Sequence, residues 1–460
     1  MVLRPSRELA AGSVVCRGER VTRFRALSAL GWLPASQAVV LIVSLTTFAI
    51  LSRLIGPVAY AQFAVLAFVY TICALATDLS AMGYLLVHGD TPHHRRAAWK
   101  SALTSAACGL VILLIALLAL SFAPLPQGPP GPVNMAVLGT GLVTQALVQP
   151  LRGRMMIGRS YARIATSDVI ATVIAYGITV AIATRSASVT VLCVQLALTS
   201  LLRLVIFAAL SPRNSRGPRT SVKSDLRDGL STSVDPFRYG LQVMPLNVAS
   251  YASRSIDSGI LPLILPATAA ATYSRSYQLI VTPITQVQLS LGGAIVERLA
   301  RHESSTPEDR TRFDKRLWTA LHALTFTAAL VLSVSASLIQ KVFFGPGWFH
   351  VDLMVASMAA LLPSLALSSY MSWKLQIRAD FRHSIVNLVV LMLVPFLAIL
   401  LAAIAGTTGA VIGLIVGALT QAGCLAVLHR KFLPVSLRAA LAQIAIEWLV
   451  LAALVFVRLL

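Results

Sequence analysis

The sequence predicts an all-α integral membrane protein. It has two six-helix lobes in parallel repeat around a central cavity, and an extra C-terminal helix. Three observations carry the prediction. Hydrophobic residues make up 57% of the chain and charged residues only 12%, where a soluble chain averages about 45–50% and about 25%. Thirteen apolar runs approach the roughly 20 residues that a hydrocarbon core of about 30 Å asks of a helix. Loops that are basic alternate with loops that carry almost no charge. Membrane β-strands would instead alternate polar and apolar residues over about ten positions.

The elements follow in order. Residues 1–26 form a basic tail with six arginines. The apolar stretch 27–51 is longer than a signal-peptide core and has no small-residue cleavage site behind it, so it reads as an uncleaved first span. Spans 62–87, 98–122, 133–151, 165–183 and 188–210 complete an N-lobe over 27–210. A linker of mixed charge, 211–238, then separates the two sets of six. The C-lobe, 239–428, holds spans 239–263, 268–295, 318–341, 351–373, 384–405 and 408–428. The closing segment, 429–460, carries a thirteenth span at 439–458.

Orientation follows from the basic residues. With the N-terminus in the cytoplasm, 31 of the 38 Lys and Arg fall on the cytoplasmic side, four outside and three within spans. That bias accounts for the net charge of +21 without nucleic acid as a partner. The five cysteines are scattered, so neither a disulfide framework nor a metal site is expected. No loop is long enough to fold as a catalytic domain, and no enzyme motif appears. Whatever the chain does takes place between its helices.

A shift of 210 residues sets 55–64 against 265–274. Each copy joins the first helix of a half to the second on the same face. Equal orientation makes the repeat parallel, about an axis along the membrane normal.

Charges within a span cost several kcal/mol and usually mark a cavity or a pathway. The seventh span carries Asn247, Tyr251, Arg254, Asp257 and Ser258 at helical spacing. Arg254 and Asp257 either neutralise each other as a local pair or belong to a polar stripe lining a cavity. The eighth span carries Arg275, Gln278, Thr282 and Gln286. Arg275 and Arg254 at similar depth point to an anion site, since guanidinium suits phosphate and carboxylate; the rival reading has Arg275 reaching outward to lipid headgroups. Asp78, in the second span, either couples to an ion or makes a packing hydrogen bond. Arg53 ends the first span on the outside. Asp168, Arg203 and Glu447 are weaker candidates.

Three motifs then carry a family resemblance. The first is Ser52-Arg53-Leu54-Ile55-Gly56-Pro57 with Tyr60, Phe63 and Asp78-Leu79. The second is Arg254-Ser255-Ile256-Asp257 followed by Ala271-Thr272-Tyr273-Ser274-Arg275. The third is Phe344-Gly345-Pro346-Gly347-Trp348. Over residues 27–428 the chain resembles the polysaccharide-transporter branch of the multidrug/oligosaccharidyl-lipid/polysaccharide exporter superfamily, the Wzx-type lipid-linked oligosaccharide flippases. Ala61, Ala271, Pro266 and Ser80 stand where that family tends to have Gly.

The resemblance implies a cavity opening alternately to each side of the bacterial plasma membrane, in cell-surface polysaccharide biosynthesis. Its substrate would be a polyprenyl-pyrophosphate-linked glycan with its tail among membrane lipids. Arg254, Arg275 and Arg53 would draw the pyrophosphate or acidic sugars, with Asp257, Asn247, Tyr251 and Gln278 beside them and Asp78 as an ion-coupling candidate. Polysaccharide polymerase or glycosyltransferase machinery would be the neighbours, and no cofactor is implied. The alternative is an ion-coupled multidrug-type antiporter of the same superfamily. An antiporter should show a carboxylate-rich site, and the second half favours arginine.

Overall fold

The computed structural model describes residues 32, 35–76, 81–122, 129, 131–158, 160–211, 236–303, 306–378 and 381–459. Asp78, the basic tail and residues 212–235 of the linker lie outside the described residues.

The described chain is helical, with no strand among the described residues. In order, the helices of the first half are α1 (Ala35–Leu54), α2 (Pro57–Ala76), α3 (Ala81–His88), α4 (Pro92–Ser121), α5 (Pro132–Ile157), α6 (Tyr161–Ala183) and α7 (Val189–Leu210). The second half has α8 (Pro236–Ile264), α9 (Ala267–Glu303), α10 (Pro307–Val334), α11 (Ala336–Phe343), α12 (Val351–Ala359), α13 (Leu362–Ile377), α14 (Phe381–Leu391) and α15 (Leu393–Leu428). The last helix is α16 (Leu437–Leu459). Several begin on proline, whose fixed φ and missing N–H suit a first turn. Thr91 and Thr306 cap α4 and α10, accepting from the backbone N–H of His94 and Asp309.

Nine stretches among the described residues are long and apolar enough to cross a membrane. One of them, His383–Leu428, is a hairpin of two arms. Ala405 and Gly406 leave helical geometry there, Gly406 at φ 62° and ψ −139°, a region open to glycine and strained for other residues. Beyond that turn the arms touch along small residues. A Cβ on Gly413 would lie 2.4 Å from the Leu397 carbonyl oxygen, and one on Gly417 would lie 2.8 Å from Val394 Cα. Close helix contact through small residues is the usual packing device in lipid. The helices α5, α8 and α9 are long but less apolar, and all three contribute to the cavity described below.

The 210-residue repeat has a structural counterpart. Ile55 N–H donates to Leu51 O at 2.7 Å, and Leu265 N–H donates to Leu261 O at 2.8 Å. All four side chains are buried. Each pair ends one helix just before a sharp break, and the next begins at Pro57 or Ala267.

Packing separates two bodies. In the first, α5 lies against α4 and α7, and α7 lies against α6. In the second, α9, α10, α12 and α13 pack together and α16 lies against α10, α12 and α15. The principal crossing is α2, which packs on α8 and α9. The buried Lys374 Nζ donates to Asp314 Oδ2 at 2.6 Å, tying α13 to α10. Glu447 of α16 accepts from Gln443 Nε2 at 2.9 Å and pairs with His322 Nδ1 at 3.1 Å, while Trp318 Nε1 donates to Gln443 Oε1 at 3.1 Å. Glu447, a weak site candidate in the sequence, therefore holds the last helix to α10.

Candidate functional site

A cavity of about 600 Å³ lies where the two bodies meet. Helices α1 to α7 furnish most of its wall, and the second body contributes α8 and α9. Each contribution follows helical spacing. Tyr251, Ser255 and Ser258 face it from α8, and Arg275, Gln278 and Thr282 from α9. From α5 come Gln145 and Gln149, and from α7 come Gln195, Thr199 and Arg203. Its described lining has two charged residues, Arg203 and Arg275, and no carboxylate.

Arg275 is the most distinctive group. Its side chain is nearly enclosed, at 6% exposure, and its guanidinium carbon lies 4.0 Å from the centre of the Tyr60 ring and 5.2 Å from that of Phe63. Cation–π contact of this kind stabilises a desolvated cation without neutralising it. One guanidinium nitrogen donates to Gln278 Oε1, while Nε has no hydrogen-bond partner among the described residues. A buried cation held by rings and an amide, with a donor to spare, is suited to an incoming anion.

Arg203 is differently placed. Asp168 on α6 lies 3.1 Å from its Nε and 3.5 Å from Arg152 Nη2, so a single buried carboxylate holds two arginines. In the sequence Arg203 is a weaker candidate because it lies near the end of its span. The run Gln195, Thr199, Arg203, four residues apart throughout, was the available signal.

The other candidates are dispersed. Tyr251 lines the cavity and stacks on Phe68, ring centres 6.1 Å apart; Gly259 leaves room for that ring, since a Cβ there would fall 2.3 Å from it. Gln278 lines the cavity as Arg275's acceptor. Arg254 folds back along α8, donating to the Ser250 carbonyl at 2.9 Å and to its hydroxyl at 3.2 Å. Asp257 is 2% exposed and accepts from the Tyr273 hydroxyl and from the Ser258 N–H. Neither belongs to the described lining, nor does the half-buried Asn247. For Asp257 the reason is angular. At roughly 100° per residue, Asp257 points about a third of a turn or more away from the face shared by Tyr251, Ser255 and Ser258. Arg254 and Asp257, though near enough on the helix to pair, find separate partners instead of each other.

Arg53 belongs to a seal at the end of the cavity that the charge count assigns to the outside. Its Nη2 donates to the carbonyls of Lys341 and Val342 at 2.9 and 2.7 Å. The neighbouring Ser52 hydroxyl donates to Phe343 O, and Trp348 Nε1 donates to Ser52 O at 3.0 Å. The cavity-lining rings of Phe48 and Tyr60 pack against Phe344 and Trp348, with centres 5.4 and 5.5 Å apart. Gly345 sits where a Cβ would lie 3.0 Å from Arg53 Cα. Two sequence motifs almost 300 residues apart thus meet, and they close this end of the cavity.

Residues 27–302 match the model of a family described as polysaccharide biosynthesis protein. No curated protein matches the chain significantly. Among solved structures, the chain is similar to the lipid II flippase MurJ in an inward closed conformation, with a TM-score of 0.59 and 11% identity over 92% of this chain and 98% of that one. It is also similar to an inward-facing multidrug resistance MATE family transporter of the MOP superfamily, with a TM-score of 0.57 and 16% identity over 93% and 98%. A eukaryotic MATE transporter, AtDTX14, aligns with a TM-score of 0.53 and 14% identity over 91% and 97%. At such identities the likeness is one of fold.

Proposed function

Since the chain belongs to the polysaccharide biosynthesis protein family, we propose that it is a flippase carrying a polyprenyl-pyrophosphate-linked oligosaccharide across the bacterial plasma membrane by alternating access. The fold and the family are those of a multi-pass membrane transporter. The observation that carries the finer reading is the cavity lining. It holds Arg275, uncompensated by any carboxylate within 4 Å among the described residues, and no acidic side chain of its own. Such a surface suits a pyrophosphate and repels an amphiphilic cation.

Taking a diphosphate through hydrocarbon would cost on the order of 20 kcal/mol per charge by an idealised Born estimate. A polar cavity removes most of that barrier. In this reading the head group enters from the cytoplasm while the tail stays in lipid, and Arg275 supplies the charge contact. Arg53, Arg254, Asp257 and Asn247 join through rearrangement or not at all. The lobes are residues 27–210 and 239–428, joined by linker 211–238, with the N-terminus in the cytoplasm as the charge distribution supports. Glycosyltransferase or polymerase machinery would load and unload the carrier. Reconstitution into liposomes with a fluorescent polyprenyl-pyrophosphate sugar tests the proposal. Protein-dependent movement of that lipid between leaflets is expected; ion-driven efflux of a cationic dye, with the lipid static, would replace the flippase with an antiporter.

A further inference from the structure

Three uncharged amides in the cavity have no role in the electrostatic account. Gln145 and Gln149 lie one turn apart on α5, and Gln195 lies on α7, one turn before Thr199. The two helices approach closely, since a Cβ on Gly141 would fall 3.0 Å from Ala197 Cα. Their polar stripes therefore stand side by side, and the Ser200 hydroxyl donates to Gln145 Oε1 across them at 3.4 Å. The amides of Gln149 and Gln195 make no side-chain hydrogen bond among the described residues. Tyr70 and Tyr176 also line the cavity, and the arginine that shares the α7 stripe, Arg203, is engaged by Asp168 at 3.1 Å.

An amide presents two N–H donors and a carbonyl oxygen with two acceptor lone pairs. Three of them form a neutral surface able both to give and to accept, of which phosphate oxygens, acceptors only, would use just the donor half. The surface suits hydroxyl and N-acetyl groups, whose sugar rings also offer apolar faces to tyrosines. We infer that Gln145, Gln149 and Gln195 on α5 and α7 form a glycan-reading subsite, separate from Arg275, that selects the sugar carried on the lipid. The inference rests on the flippase reading. It divides the cavity by chemistry: charge recognition on α9, sugar recognition on the first body.

The test compares two probes in proteoliposomes: a polyprenyl pyrophosphate bearing one N-acetylhexosamine, and the same lipid without sugar. The quantity read is the ratio of their translocation rates, which is independent of how much protein folds. In Gln149→Leu and Gln195→Leu the ratio is expected to fall roughly 3- to 10-fold each, the worth of about one hydrogen bond. In Arg275→Gln both rates fall and the ratio holds. An unchanged ratio in both glutamine variants overturns the subsite while leaving the flippase intact. Wild-type protein that moves neither lipid overturns the flippase reading, and the subsite with it.

Discussion

Arg275 shows how environment decides what one residue can do. Buried between aromatic rings and tied to Gln278, it keeps its charge available, whereas Arg203, on the same cavity, is shared with Asp168. Stacking needs a planar guanidinium, so Arg275→Lys should not act as a conservative change. Both that variant and Tyr60→Leu are expected to slow lipid translocation by roughly 3- to 30-fold, the range of one desolvated cation–π contact, measured as initial rates in proteoliposomes. Wild-type rates in both would mean that the cage is packing alone. Sequence reasoning picked out Arg275, Gln278 and Tyr251, because a polar residue in an apolar run stands out by itself. It also grouped Arg254 and Asp257 with them. Spacings of three and four residues define a broad arc of a helix, and only the neighbouring helices decide which part of the arc meets a cavity.

Among the elements, the described residues of each of the thirteen predicted spans are helical apart from short breaks, since a hydrocarbon core of about 30 Å leaves little freedom over length. The breaks within spans were less legible. The α10–α11, α12–α13 and α14–α15 pairs each read as one continuous run in the sequence, because an apolar sequence does not reveal where its helix interrupts. The last helix, α16, is fastened by the Trp318–Gln443–Glu447–His322 network. Cutting such a buried network orphans its remaining members at about 1–3 kcal/mol. Glu447→Ala should therefore lower the thermal unfolding midpoint in detergent by several degrees, while Leu449→Ala, on the lipid-facing side of the same helix, should leave it in place. Equal midpoints for the two variants would show that α16 docks through apolar contact alone.

For the whole molecule, hydrogen bonds join Ser52 and Arg53 to residues 341–348 across the two bodies, at the end that the charge count assigns to the outside. The motifs that meet there were visible in the sequence, but nothing in a linear chain says that they touch. The proposed flippase must part these contacts in each cycle. A cross-link between Arg53→Cys and Gly345→Cys, introduced with the native cysteines replaced, should stop translocation, and reduction should restore it; undiminished transport by the cross-linked protein would rule out an opening at this seam. This cavity is proposed to pass a pyrophosphate-headed lipid by way of Arg275. The most direct measurement is the initial rate of polyprenyl-pyrophosphate-sugar flipping by wild-type protein and Arg275→Gln at equal reconstituted amounts. Loss of a charge-assisted hydrogen bond to the head group predicts a fall of roughly 10- to 100-fold in the variant. Equal rates in the two proteins would contradict the claim.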